Sequence, residues 1–127
     1  MKICFISLLL LSSSCFATGT PLNLEGKYLC YGNEVETREA FKCEMILKKT
    51  GETYSNIANC NDGNSYTGTA IYEQTVHRLS TAFINPKKAE ETGIAVADFK
   101  EDGSTFIVWT YLNKTTTGHS KCIRQEK

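Results

Sequence analysis

Apolar residues in this chain fall in short runs rich in Tyr, Thr, Ile, Val and Phe, broken by Gly, Asn, Asp and Pro at fairly regular intervals. These residue types suit a pleated, half-buried surface. No helical period persists beyond residue 17. The pattern predicts strands near Gly26–Tyr31, Ala40–Lys49, Thr53–Cys60 and Asn64–Tyr72. Four more are predicted near Thr75–Ile84, Thr92–Lys100, Ser104–Tyr111 and Thr117–Arg124. About eight strands joined mostly by short turns make an all-β antiparallel meander. One segment, the charged connection Pro86–Glu91, has the makings of a helical turn.

Two turns give residue-level register. In Lys49-Thr50-Gly51-Glu52-Thr53 a two-residue loop at Gly51-Glu52 suits a type II′ turn and pairs Thr50 with Thr53. Counting back, Leu47 faces Asn56, Met45 faces Ala58, and Cys43 faces Cys60. Cysteines opposite each other at a non-hydrogen-bonded pair lie within disulfide reach. The second turn, Asp102-Gly103, signals a two-residue type I′ turn. It sets Phe99 opposite Phe106, Ala97 opposite Val108 and Ala95 opposite Thr110 on one face. On the other, Asp98 meets Ile107, Val96 meets Trp109, and Ile94 meets Tyr111. That second face carries the larger apolar mass and is assigned to the core.

The remaining cysteines extend the framework. Lys2, the apolar run Ile3–Leu11 and the small residues up to Ala17 read as an export signal cleaved after Ala17, leaving a single domain over residues 18–127. The alternative is a lipid-anchored chain acylated at Cys15, although Ser12 stands where lipoproteins carry a large apolar residue. Cys4 and Cys15 leave with the cleaved signal, and the even set Cys30, Cys43, Cys60 and Cys122 implies bridges in an oxidising compartment. With Cys43–Cys60 assigned, elimination leaves Cys30–Cys122, joining the first strand to the last. Such a bridge is natural if the meander closes into a barrel; an open two-sheet sandwich is the other architecture compatible with the sequence. The localisation expected is periplasmic or secreted.

Charge narrows the partners. The sequence carries 14 basic and 14 acidic residues, and losing Lys2 leaves it near neutrality. That balance points away from nucleic acid, and no second apolar segment follows the signal to suggest a transmembrane protein. No catalytic or metal residues are assigned and no cofactor is expected: there is no Cys-x-x-Cys, no carboxylate pair, and only two histidines, His77 and His119. His119 lies three residues before Cys122, a nucleophile pair only if that cysteine is reduced. The candidate ligand-binding residues are Asp98, Trp109 and Tyr111. Within a barrel Asp98 would orient one bound molecule; its place a few pairs from the turn also fits a hydrated rim position. An eight-stranded barrel is just wide enough to be packed solid or to hold one small ligand.

Three resemblances attach to these features. Gly26-Lys27-Tyr28-Leu29-Cys30-Tyr31-Gly32, Tyr66-Thr67-Gly68-Thr69 and Gly118 to Cys122 resemble short exported β proteins of Gram-negative bacteria to which no activity is assigned. Tyr28-Leu29-Cys30 with Cys122 is similar to the opening and closing cysteines of periplasmic inhibitors of C-type lysozyme, whose inhibitory Ser and Lys loops have no counterpart here. In layout alone the chain resembles avidin-like and lipocalin-like barrels. Together these imply a non-catalytic secreted or periplasmic binding module for a protein or small ligand, an inhibitor being its most concrete form. The alternatives are a periplasmic enzyme and a secreted factor directed at a host or competitor.

Overall fold

Period-two alternation decides which side chains share a face of a sheet, and here the sheet closes on itself. The computed structural model describes residues 23–125; the expected signal over residues 1–17 lies outside them. Eight strands run in order: β1 Gly26–Asn33, β2 Ala40–Thr50, β3 Thr53–Cys60, β4 Ser65–Glu73, β5 Arg78–Asn85, β6 Lys88–Phe99, β7 Ser104–Tyr111 and β8 Gly118–Arg124. Each pairs antiparallel with the next, and β8 returns to β1, giving a closed up-and-down barrel rather than a sandwich. Closure removes the unpaired strand edges that otherwise invite association.

The first hairpin has the expected register, with Thr50 opposite Thr53 and Cys43 opposite Cys60. Gly51 supplies the positive φ of 63° that its turn requires. Both predicted disulfides form, Cys30–Cys122 and Cys43–Cys60. They lie in one row, because Cys30 is also the register partner of Cys43 across β1 and β2. Four sulfurs therefore run side by side from β8 to β3 along the inner wall. Two disulfides fit an oxidising, extracytoplasmic setting.

Two connections differ from the sequence reading. The segment Pro86–Glu91 contains no helical turn: only residues 86–87 link β5 to β6. The short helical turn lies instead at Gln74–Val76, where a strand had been expected to begin. The β6–β7 loop also differs. Lys100 N–H donates to Ser104 O at 2.9 Å, which leaves the three residues 101–103 in the loop, and Gly103 takes a φ of 89°. A three-residue loop with a left-handed glycine slides β7 by one position relative to a two-residue turn. Asp98 consequently faces Phe106, and Ala97 faces Ile107.

The interior has two halves. At the end where the chain enters, Leu24, Tyr28, Leu47, Tyr54, Ala70 and Leu79 form a tight floor. The rings of Tyr28, Phe99, Tyr72 and Tyr54 follow one another edge to face at 6.2–6.4 Å. Tyr28 Oη donates to the Leu24 carbonyl at 2.7 Å, so its buried hydroxyl is satisfied. Arg124 from β8 donates to the carbonyls of Asn23 and Glu25, tying the entering segment across this end.

The two bridges close loops of very different length, 92 and 17 residues. In the chain-entropy description the longer contributes about 4–5 kcal/mol and the shorter about 3 kcal/mol. Replacing Cys30 and Cys122 together with serine is expected to cost more stability than replacing Cys43 and Cys60 together. Urea unfolding of the two double variants checks this; equal losses would mean that closure entropy does not set the difference.

Candidate binding chamber

Above the floor the barrel is hollow. A chamber of about 120 Å³ opens toward the end that carries loops 34–39, 61–64, 86–87 and 112–117. Its walls come from the inward positions of every strand: Cys30, Phe41, Cys43, Ala58, Tyr66, Thr81, Phe83, Ala95, Ile107, Trp109, Tyr111 and Ser120 among them. Five rings stand together. Phe41, Trp109 and Tyr111 are linked at 5.8 and 5.4 Å, and Phe83 joins Tyr111 at 6.2 Å and Tyr66 at 5.7 Å, all edge to face.

The rings line the walls because glycines sit opposite three of them. Phe41 is the register partner of Gly32, Phe83 of Gly93, and Trp109 of Gly118. A Cβ built on Gly118 would come within 2.6 Å of the Trp109 ring, and one on Gly93 within 2.8 Å of Phe83 Cζ. The indole and the phenyl thus lie against bare backbone where any other residue would push them off the wall. Small side chains at Ala58 and Ala95 leave the centre unfilled.

The mouth is polar and acidic. Tyr66 Oη lies 2.9 Å from Glu91 Oε1 and 3.3 Å from Tyr111 Oη. A carboxylate only accepts, so Tyr66 donates to Glu91 and Tyr111 donates to Tyr66. Asn85 Nδ2 adds a second donor to the same Glu91 oxygen at 2.9 Å. Glu91 reaches this place through a bulge: Ile84 pairs with Thr92, but Asn85 pairs with Lys88, so residues 89–91 have no partners on β5. Glu34 and Asp62 complete the rim. Burial, and then the negative charges of Glu91 and Asp62, hold the Glu34 carboxyl above its ordinary range.

The structure sorts the sequence candidates plainly. Trp109 and Tyr111 line the chamber, and all four disulfide cysteines do or adjoin it. Asp98 does not belong to it: the one-residue shift of β7 puts Asp98 on the outer face, where Arg78 Nε donates to Oδ1 at 3.0 Å. His119 is exposed on β8, while Cys122 is fully buried and disulfide-bonded, which removes the thiol the imagined nucleophile needed. His77 is exposed at the opposite end, its Nδ1 3.1 Å from Tyr72 Oη. Among the described residues no group of three His, Cys, Asp or Glu side chains is placed to hold a metal. No helix there is long and apolar enough to cross a membrane.

Sequence reasoning missed Phe41, Tyr66, Phe83, Thr81, Glu34 and Glu91. A signal for the first existed in the correctly registered hairpin: Phe41 lies two residues before Cys43 and so shares its inward face. The Glu91 position had none, because it depends on a bulge.

Burial pushes the Tyr111 hydroxyl up to about 12, and burial with its contacts to Tyr111 and Glu91 raises Tyr66 further. A folded-state value above the unfolded one, near 10.0, gives stability that is complete below that pH and is lost as pH rises through the folded value. Melting temperature is therefore expected to fall by several degrees between about pH 8 and about pH 11, and by less in Tyr66→Phe/Tyr111→Phe. Scanning calorimetry checks this; an equal fall in both proteins would assign the alkaline loss to other groups.

No family model matches the chain, and no curated protein sequence does. Among solved structures it is similar to a de novo designed fluorescence-activating β-barrel, with a TM-score of 0.60 at 7% identity, over 80% of this chain and 94% of that one. At that identity the likeness is one of fold: a closed, single-layer barrel with one interior.

Proposed function

We propose that this barrel is a non-catalytic binding module that works outside the cytoplasm and holds one small apolar ligand in its chamber. The chamber itself carries the reading. A stable barrel of this size has enough side chains to fill its interior, and this one fills only half. The unfilled half is walled largely by rings and small apolar residues, opens at one end, and carries a few polar side chains with the acidic ones at the opening, the usual anatomy of a small-molecule site. Its volume of about 120 Å³ is comparable with the ~150 Å³ apolar cavity that admits benzene in another protein. A barrel of similar fold has been designed as a fluorescence-activating protein, so a closed barrel of this layout is compatible with such a use.

Trp109 is the only tryptophan in the chain and lines the chamber, so its fluorescence reports occupancy directly. Titration with ethylbenzene is expected to give a saturable one-to-one change. Ala58→Leu or Ala95→Leu, which extend into the chamber, should weaken the binding at least about tenfold without loss of the folded far-ultraviolet spectrum. A non-saturating response in the parent protein, or undiminished binding in both filled variants, would overturn the reading.

A further inference from the structure

The chamber and its mouth together specify more than an apolar guest. Resting on the binding reading above, we propose that the ligand is a small amine: an aromatic ring seated in the chamber, with its ammonium group at the mouth among Glu34, Asp62 and Glu91.

The first argument is charge. Of the residues that line the chamber, those with charged side chains are Glu34 and Asp62, and both are acidic. Glu91 joins them through its hydrogen bond from Tyr66, a lining residue. No lysine or arginine lines the space. The cation nearest this group is Lys88, which reaches Glu91 Oε2 only at 4.0 Å, from a side chain that is 53% exposed. A ligand anion would meet three carboxylates with only the exposed Lys88 as counter-charge, and a neutral ligand would leave them unused.

The second argument is satisfaction. Glu91 already accepts from Tyr66 and Asn85, whereas the half-buried Glu34 carboxylate has no hydrogen bond or ion pair among the described residues. A group in this position, with part of its hydration removed, gains most from an incoming N–H donor.

The third argument comes from inside. Thr81 is 7% exposed and lines the chamber, yet its hydroxyl has no hydrogen-bond partner among the described residues. Its methyl carbon lies toward Gly68, 3.1 Å from where a Cβ would stand. Facing the chamber beside Asn56 and Ser120, that hydroxyl is open to an incoming group; the fully buried side-chain oxygen without a partner among the described residues is that of Thr105. With Asn56 and Ser120, Thr81 offers polar points within the chamber for a substituent on the ring, while the carboxylates take the ammonium at the opening. The rings of Tyr66 and Tyr111, whose hydroxyls reach the carboxylate rim, add their faces as a favourable surface for a cation.

Three probes of matched shape test this by Trp109 fluorescence at neutral pH: phenethylamine, ethylbenzene and phenylacetate. Phenethylamine is expected to bind about tenfold more tightly than ethylbenzene, with phenylacetate weakest. Glu34→Gln, at a partly exposed loop position with no side-chain partner to lose, should remove most of the amine's advantage over ethylbenzene. Equal or tighter binding of ethylbenzene, or an amine preference unaffected by Glu34→Gln and by Asp62→Asn, would overturn the amine assignment while the apolar site stands. Absence of saturable binding by all three probes would remove the site and the amine together.

Discussion

Everything in this molecule depends on the pairing of β1 with β8. That ladder joins the two ends of the described chain, from Tyr28 opposite Arg124 to Asn33 opposite His119. Without it the meander would be an open sheet with two bare edges and two accessible faces, and no interior to divide. With it, every strand gains a partner on both sides and the inner face becomes a closed space. The Cys30–Cys122 bridge lies within this ladder, so the covalent link holds the contact that is most expensive in chain entropy. Arg124 acts from the same strand, fastening the entering segment over the floor.

Closure by itself does not say whether the interior is full. The two halves differ in what stands opposite each large side chain. At the floor, the large buried side chains Leu24, Tyr28, Leu47, Tyr54 and Leu79 belong to one hydrophobic cluster, with Leu79 at its upper face toward the chamber. Toward the mouth, Phe41, Phe83 and Trp109 each stand opposite a glycine, which lets the ring fold back onto the wall. The same aromatic content thus fills one end and upholsters the other. The row of four cysteines runs beside this transition and offers no long side chain to bridge it.

How much of this was legible in the sequence depended on two turns. Gly51-Glu52 has its glycine where a two-residue turn needs it, and the opposing cysteines confirmed the count, so β2 and β3 were assigned residue for residue. Asp102-Gly103 carries an equally strong dipeptide signal, but its glycine serves a three-residue loop, with the Asp102 carboxylate accepting from Ser104 N–H at 2.9 Å. Nothing in the local sequence separates these two uses, and a slip of one position exchanges the faces of a strand. The inward face of β7 was still identified, which is why Trp109 and Tyr111 were found. The face of β6 comes out inverted in that reading, which is why Asp98 stands among the ligand-binding candidates although it lies on the outer face. The acid that serves the chamber on that strand is Glu91, seven residues earlier and brought inward by the bulge.

The hollow half also bears on stability. At about 24 cal/mol per Å³, an unfilled apolar space of about 120 Å³ costs on the order of 3 kcal/mol relative to a filled one. For a domain whose total stability is of order 10 kcal/mol, that is a large concession, and larger residues at Ala58 or Ala95 would be a simple way to reduce it. The two disulfides are of the right magnitude to offset it, and they do so without occupying the chamber. Covalent closure and an open interior are therefore complementary: the bridges carry stability that a packed core would otherwise supply, and the space left free is the part of the barrel able to receive a guest.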